Sequence, residues 1–286
     1  MTEQSPETEA SPPPRYLAAV MYYGSVDFEH LACMRELRKN PRIGDVLEMR
    51  GCPYIGIGRS VAAQVALDRG FDGILFVDHD IIFEPGEVTR VLDSCEETRG
   101  VVGAAYPMRS PGSKMIGAVD LSQTQNDTVR FFEGGEVHPA LYLGMGFTAI
   151  HRDALEKTGR NEPLVVSGVV DELMVRPLFS LLIEEGKWYG EDVSFCIRAK
   201  RAGVGVFMDT RLRVWHKGAY TYGLEDCSIV VPYMTSLEAL YQDDPNLVQS
   251  EATPHAEVRR AAAAKAARTE GSEPSNDVVF PTSIAI

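Results

Sequence analysis

Over its first hundred residues the chain alternates between short apolar runs and longer stretches whose apolar residues recur every three or four positions. The short runs predict strands, and the wider spacing predicts amphipathic helices. Tyr16 to Tyr23 reads as a first strand, followed by a loop at Gly24-Ser25. Asp27 then caps a helix that puts Phe28, Leu31, Met34 and Leu37 on one face and stops at Asn40-Pro41. Asp45 to Met49 reads as a second strand. A loop with Gly51, Pro53, Gly56 and Gly58 leads to a helix from Arg59 to Leu67, which Gly70 ends. Gly73 to Val77 is a third strand, a helix from Pro85 buries Val88, Val91, Leu92 and Cys95, and Val101 to Tyr106 is a fourth strand. This alternation implies an α/β fold with a mostly parallel central sheet flanked by helices, whose ligands bind beyond the C-terminal strand ends.

After Pro107 the periodicity weakens. Extended stretches are read at Val129–Phe132 and Ala140–Leu143, then Gly144-Met145-Gly146-Phe147 opens a strand to Ile150, and a short helix from Asp153 closes at Gly159. Residues 160–186 show no clear period. Glu191-Asp192 opens a helix carrying Phe195, Cys196, Ala199 and Ala202, with Lys200-Arg201 in its last turn and Gly203 as its stop, an arrangement that suits the helix dipole. Val204–Met208 and Leu212–Trp215 are strand candidates. Composition predicts flexible tails at 1–15 and 243–286, the second with an Ala-rich helix from Val258 to Arg268. One domain is expected between them, 16–242, with halves at 16–110 and 111–242.

With 286 residues, 44% of them hydrophobic, the chain can bury a substantial core. A net charge of −13 argues against broad electrostatic binding to nucleic acid or anionic membrane. The five cysteines are scattered, odd in number and without CxxC spacing, which gives neither a disulfide framework nor a zinc cluster and fits a reducing cytoplasm. No export signal is read, and no apolar run reaches the ~18 residues of a membrane span.

The candidate chemistry starts where the apolar run Ile74–Val77 ends abruptly in Asp78-His79-Asp80, before a second run, Ile81-Ile82-Phe83. Two carboxylates at a strand tip need solvent, a cation or a hydrogen-bond network. At i and i+2 of an extended chain both point to one side, as a pincer for a hard divalent cation requires, and His79 faces the other way. The competing reading is a solvated turn, in which Asp is common. Glu191-Asp192 follows Trp188-Tyr189-Gly190; the acids are either ordinary dipole complements or, beside two aromatics, a partly desolvated general base. His216 ends an apolar strand, where a structural histidine is the commoner case. Gly144 and Gly146 make a tight turn or admit a ligand close to the backbone.

In this order the pieces resemble the GT-A family of nucleotide-sugar-dependent glycosyltransferases, in particular its family-two-like members. The resemblance runs from Tyr16 to Gly218 through Gly56–Ala63, the DxD-like Asp78-His79-Asp80, the glycine loop Gly144–Phe147, the xED-like Gly190-Glu191-Asp192 and His216. It implies a GT-A fold and a metal-dependent, inverting transfer of a sugar from a UDP- or GDP-sugar to an acceptor hydroxyl. By the same resemblance Asp78, Asp80 and His216 hold Mn2+ or Mg2+. Asp192 is the base and Glu191 supports it. Tyr22, Arg59, His79, Gly144 and Gly146 face the donor, and Trp188 and Tyr189 the acceptor. His79 inside the triplet and Ser60, where many relatives have Asn, depart from the pattern. The acceptor stays open among saccharides, lipid-linked sugars, protein side chains, small molecules and modified nucleobases. Two rivals fit the same architecture. One is a sugar-1-phosphate nucleotidyltransferase, whose basic, glycine-rich loop has no counterpart in Tyr22–Asp27; the other is a non-catalytic nucleotide-sugar-binding module.

Overall fold

In the computed structural model, which describes residues 13–227 apart from 24–25, 53, 110–113, 125–128, 171 and 219–220, the chain begins with β1 (Tyr16–Tyr22), buried along its whole length. α1 (Phe28–Leu37) leads to β2 (Ile43–Arg50), and α2 (Ile55–Asp68) to β3 (Gly73–Asp78). A turn at His79-Asp80 joins β3 to β4 (Ile81–Phe83), followed by α3 (Pro85–Thr98), β5 (Val101–Gly103) and β6 (Tyr106–Pro107). β7 (Met115–Ile116), β8 (Ala118–Val119), β9 (Val137–Tyr142) and β10 (Phe147–His151) precede α4 (Arg152–Gly159). Two antiparallel pairs come next, β11 (Val165–Val166) with β12 (Met174–Val175) and β13 (Leu182–Glu184) with β14 (Lys187–Tyr189). α5 (Glu191–Arg201), β15 (Val206–Asp209), β16 (Val214–Lys217) and β17 (Thr221–Tyr222) complete the described elements.

The central sheet has eight strands in the order β2-β1-β3-β10-β5-β15-β9-β8. β10 and β9 run antiparallel to both of their neighbours, and the other strands share one direction, so the sheet is mostly parallel. Alternate residues of a strand face opposite sides. Leu17, Ala19 and Met21 of β1 accordingly join the apolar layer that includes Ala62, Ala63 and Ala66 of α2. Ala18, Val20 and Tyr22 join the opposite layer, with Met34 and Leu37 of α1 and Val88, Val91 and Leu92 of α3. A strand covered on both faces has no polar side, which is why β1 and β3 read as continuous apolar runs. Chain order then fixes where a ligand can enter. From β1 the chain crosses to β2 on one side and from β2 back over β1 to β3, and such a reversal leaves a crevice at the C-terminal ends of β1 and β3.

The structure departs from the sequence expectations in several places. β10 lies antiparallel between β3 and β5, an insertion that strand–helix alternation does not encode. The fourth strand is broken, β5 stopping at Gly103 and β6 starting at Tyr106. In α1 the buried face is His30, Cys33, Met34 and Leu37, while Phe28 and Leu31 are 77% and 49% exposed. Both sets have helical spacing; the contacts with β4 select the first, through His30 Nδ1 at 3.2 Å from the Ile81 carbonyl and Cys33 Sγ at 3.1 Å from that of Phe83. α2 starts at Ile55 rather than Arg59, with Gly56 in its first turn because the Phe179 carbonyl occupies the space of a Cβ there. Val129–Phe132 is irregular: Phe132 has φ 62° and donates its N–H to the Thr210 carbonyl at 2.8 Å, while Val129 and Phe131 are buried by their side chains alone. The stretch 160–186, which has no clear period, forms β11, β12 and β13. Arg15, assigned to a tail by composition, donates its backbone N–H to Asp72 Oδ2 at 2.8 Å. The remainder of that tail as far as residue 12, the Gly24-Ser25 loop, the end of the expected domain from 228, the tail at 243–286 and its Ala-rich helix lie outside the described residues.

Candidate active site

β3 ends at Asp78 where the apolar layers end, and the following turn is pinned by three neighbouring segments. Asp78 N–H donates to the Gly146 carbonyl (2.9 Å), His79 N–H to the Met21 carbonyl (3.2 Å), and the Asp80 carbonyl accepts from Lys217 N–H (2.6 Å). β4 then pairs with β16, setting Ile81 opposite His216 and so bringing the histidine beside Asp80. A cavity of about 410 Å³ opens at this point. Asp78, His79 and Asp80 line it together with Arg59, Glu191, Asp192 and His216, residues that lie far apart in the chain. His79 is therefore not turned away from the two carboxylates; the backbone turns instead of staying extended, and the ring sits 6.4 Å from that of Tyr22 and 6.3 Å from that of Tyr23.

Arg59 is the hinge pin of the charges. It is 2% exposed, and its Nη1 donates to Glu191 Oε1 at 2.6 Å while Nη2 donates to both Asp78 oxygens at 2.8 Å. Burial works against its charge, but Asp78 and Glu191 outweigh that cost and keep the guanidinium ionised. Burial also raises the Glu191 carboxyl above its ordinary value, with Arg59 opposing the rise. Glu191 and Asp192 open α5, where acids meet the positive end of the helix, and Asp192 Oδ1 accepts the N–H of Val193 at 2.7 Å.

Asp80 meets Arg109 Nη1 at 2.9 Å and His216 Nε2 at 3.4 Å. Its burial opposes ionisation, yet His216 and Arg109 hold its carboxyl below the usual range. His216 Nδ1 lies 2.8 Å from the Pro107 carbonyl, which can only accept, so Nδ1 carries a proton and Nε2 is aimed at the carboxylate. This is the arrangement by which a second partner orients a metal-binding imidazole. The cavity's four carboxylates, Asp78, Asp80, Glu191 and Asp192, face the two guanidiniums of Arg59 and Arg109. Asp80 and His216 suit a divalent cation, as Mn2+ or Mg2+ commonly takes few protein ligands and fills its shell from phosphate and water. Both oxygens of Asp78 are taken by Arg59, and among the described residues no group of three or more His, Cys, Asp or Glu is arranged to hold a metal by itself.

Met145 lines the cavity, and Gly144 and Gly146 on either side of it are held by Tyr106. Gly146 N–H donates to Tyr106 Oη at 2.8 Å, and a Cβ on either glycine would strike that oxygen. Burial keeps the Tyr106 hydroxyl protonated. Tyr22 is 4% exposed with its ring edge-on to His30, and the cavity is lined by its neighbour Tyr23 instead. Trp188 and Tyr189 lie on β14, Trp188 71% exposed, and the chain runs directly from them to the N-terminus of α5. Sequence reasoning passed over Tyr23, Tyr106 and Arg109. The position of Tyr106 at the end of the expected fourth strand was a usable signal, because that end belongs to the same rim.

No family model matches the chain, and no curated protein does either. Among solved structures it is similar to A197 from STIV at 20% identity, over 71% of this chain and 86% of that one, with a TM-score of 0.46. It is similar to GalNAc-T7, solved with UDP, GalNAc and Mn2+, at 13% identity over 82% of this chain and 48% of that one, TM-score 0.43. Similarity to an apo UDP-glucose pyrophosphorylase is 10% in identity over 80% and 82% of the two chains, TM-score 0.36. The chain thus spans about half the length of the GalNAc-T7 chain, and likenesses this distant assign no role to any residue.

Proposed function

We propose that this protein is a glycosyltransferase of GT-A type that moves a sugar from a nucleotide-sugar to an acceptor hydroxyl with the help of a divalent cation. The observation that carries this reading is the convergence of Asp78–Asp80, His216 and Glu191-Asp192 on one crevice, at the rim where α/β sheets bind ligands, with four carboxylates facing two guanidiniums. Asp80 and His216 would hold Mn2+ or Mg2+, which when bound would neutralise the charge developing on the leaving diphosphate. Arg109, 53% exposed at the mouth, meets the phosphates from the other side. Asp78 acts through Arg59 as a positioning residue, keeping the turn and α5 in register. Tyr23, His79 and Met145 shape the donor side, Gly144 and Gly146 let Met145 sit there against Tyr106, Tyr22 packs behind the wall, and Trp188 and Tyr189 border the acceptor side.

Asp192 takes the proton of the acceptor hydroxyl while that oxygen attacks the anomeric carbon; the bond to the diphosphate breaks, and the nucleoside diphosphate leaves with the electron pair. Attack opposite the leaving group inverts the anomeric configuration. The test is turnover of a UDP-, GDP- and TDP-sugar panel with and without Mn2+, alongside Asp80→Ala and Asp192→Asn. The expected result is Mn2+-dependent donor binding that Asp80→Ala abolishes, and turnover that Asp192→Asn lowers at least about a hundredfold while sparing donor binding. A protein that neither binds nor turns over any of these donors refutes the reading. Release of pyrophosphate from a nucleoside triphosphate would instead identify a nucleotidyltransferase, and donor binding without turnover a binding module.

A further inference from the structure

A second cavity, of about 520 Å³, adjoins the first, and the two share Ile55 and Glu191. That volume lies within the range of small-molecule sites. The wall is formed by Ile57 of α2, Val166 and Val175 of the β11–β12 pair, and Phe179 and Leu181 from the segment that follows. Val166 is 62% exposed and Leu181 50%, so water meets hydrocarbon along one side of this cleft, at a cost that a bound apolar group would relieve.

The serines in the wall are already engaged. Ser60 Oγ donates to the Gly56 carbonyl (2.8 Å) and accepts from Phe179 N–H (3.2 Å). Ser167 Oγ donates to the Val170 carbonyl at 2.7 Å, and Ser180 Oγ accepts from Arg198 Nη2 at 2.6 Å. Glu191, at the boundary between the cavities, is tied to Arg59. The cleft therefore presents mainly hydrocarbon, with the ring of Tyr54 at its edge and no charged side chain suited to a phosphate among its described lining residues. Its polar borders are Glu191, next in sequence to Asp192, and the exposed side chain of Tyr54 at the rim.

We infer that the cleft binds an alkyl or aryl group carried beside the reacting hydroxyl of the acceptor, so that the acceptor is an amphipathic molecule with its polar end at Asp192. This rests on the transferase reading for the word acceptor, but the binding itself can be measured without a donor. The test is calorimetric titration of the full chain with methyl, phenyl and octyl β-glucoside, each below the concentration at which it forms micelles. Octyl glucoside is expected to bind roughly a hundredfold more tightly than the methyl compound, the factor given by burying three to four methylene groups, with the phenyl compound between them. Val166→Asp and Leu181→Asp change exposed positions and should each bring octyl glucoside close to the methyl level, whereas Val166→Ile keeps the preference. Equal affinity for the three glucosides overturns the proposal, as does a preference that neither Asp variant alters. A preference confined to the octyl compound supports it with an alkyl group as the occupant, and one confined to the phenyl compound supports it with an aryl group. If the preference holds but no nucleotide-sugar is bound or turned over, the transferase reading fails and the apolar site stands. If transfer occurs with no preference among the three, the reverse is true.

Discussion

Replacing Arg59 with Met removes the guanidinium that joins Asp78 to Glu191 while leaving an unbranched stem in α2. Breaking a buried ion pair by deleting one partner costs about 3–5 kcal/mol, because the remaining charge loses its compensation. Here two carboxylates are left facing each other, each 21% exposed, so water takes up part of the loss and the lower figure, about 3 kcal/mol, applies. In a domain of this size that corresponds to a fall in Tm of roughly 6–12 °C at pH 7. The deficit should shrink on acidification. Burial raises the Glu191 carboxyl and Arg59 opposes the rise, so removing Arg59 raises it further, and such a group costs stability at neutral pH and returns it as the pH drops toward the ordinary carboxylate range. Arg59→Lys keeps the charge but loses the fork that reaches both acids, and should fall between the wild type and Arg59→Met. The assay is thermal unfolding followed by circular dichroism for all three proteins at pH 7 and pH 5. A fall below about 2 °C at pH 7, or an equal deficit at both pH values, would refute the idea that this ion pair holds the rim together.

Two further predictions concern packing and pH. Gly144→Ala drives a Cβ into Tyr106 Oη and Ile116 Cγ2, so urea denaturation should show a loss of about 1–3 kcal/mol, partly restored when Ile116→Ala makes room; a neutral Gly144→Ala would contradict the close approach of Tyr106. His30, buried against Tyr22, has its pKa lowered from 6.5 by burial, as have His138 and His151. The unfolded chain then binds protons that the folded one resists, so stability is complete above pH 6.5 and declines as the pH falls below it. His30→Gln should flatten the fall in Tm between pH 7 and pH 5.5, and an unchanged slope excludes His30 as a contributor. The raised carboxyl of Glu191 works in the opposite sense at the acidic end of that range.

Asp78-His79-Asp80 was legible as a rim feature because β3 is covered on both faces, and a strand that may carry no polar residue signals its end by carrying two. The opening of α5 was legible for a similar local reason, acids at one end of the helix and bases at the other. Arg59 shows where such reading stops. Its partners lie 19 and 132 positions away, and nothing in a helical period says that one arginine will be buried between two acids from other elements. Arg109 was missed because β6 and β7 are two residues each, too short to leave a period. Brevity also hides β14, where Trp188, paired across the strands with Ile183, is an exposed aromatic as expected but the strand itself leaves no period. The buried face of α1 was misjudged because two overlapping apolar sets share Met34 and Leu37, and only β4, brought from fifty residues downstream, chooses between them.

The bond from Gly146 N–H to Tyr106 Oη has a topological consequence. The chain leaves the rim just after Tyr106 and returns to it at Gly144, having supplied β8 and β9 to the far edge of the sheet in between. The two ends of this excursion are clasped to each other, so beyond Arg109 and Ile116, which line the cavity, its circumference is uncoupled from the geometry of the rim. Closing a longer loop across the same clasp costs only about 0.6 kcal/mol per doubling of its length. New sequence entering beyond Ile116 therefore adds little thermodynamic expense at Asp78 and Asp80, whereas an insertion before it would displace the Arg109 that pairs with Asp80.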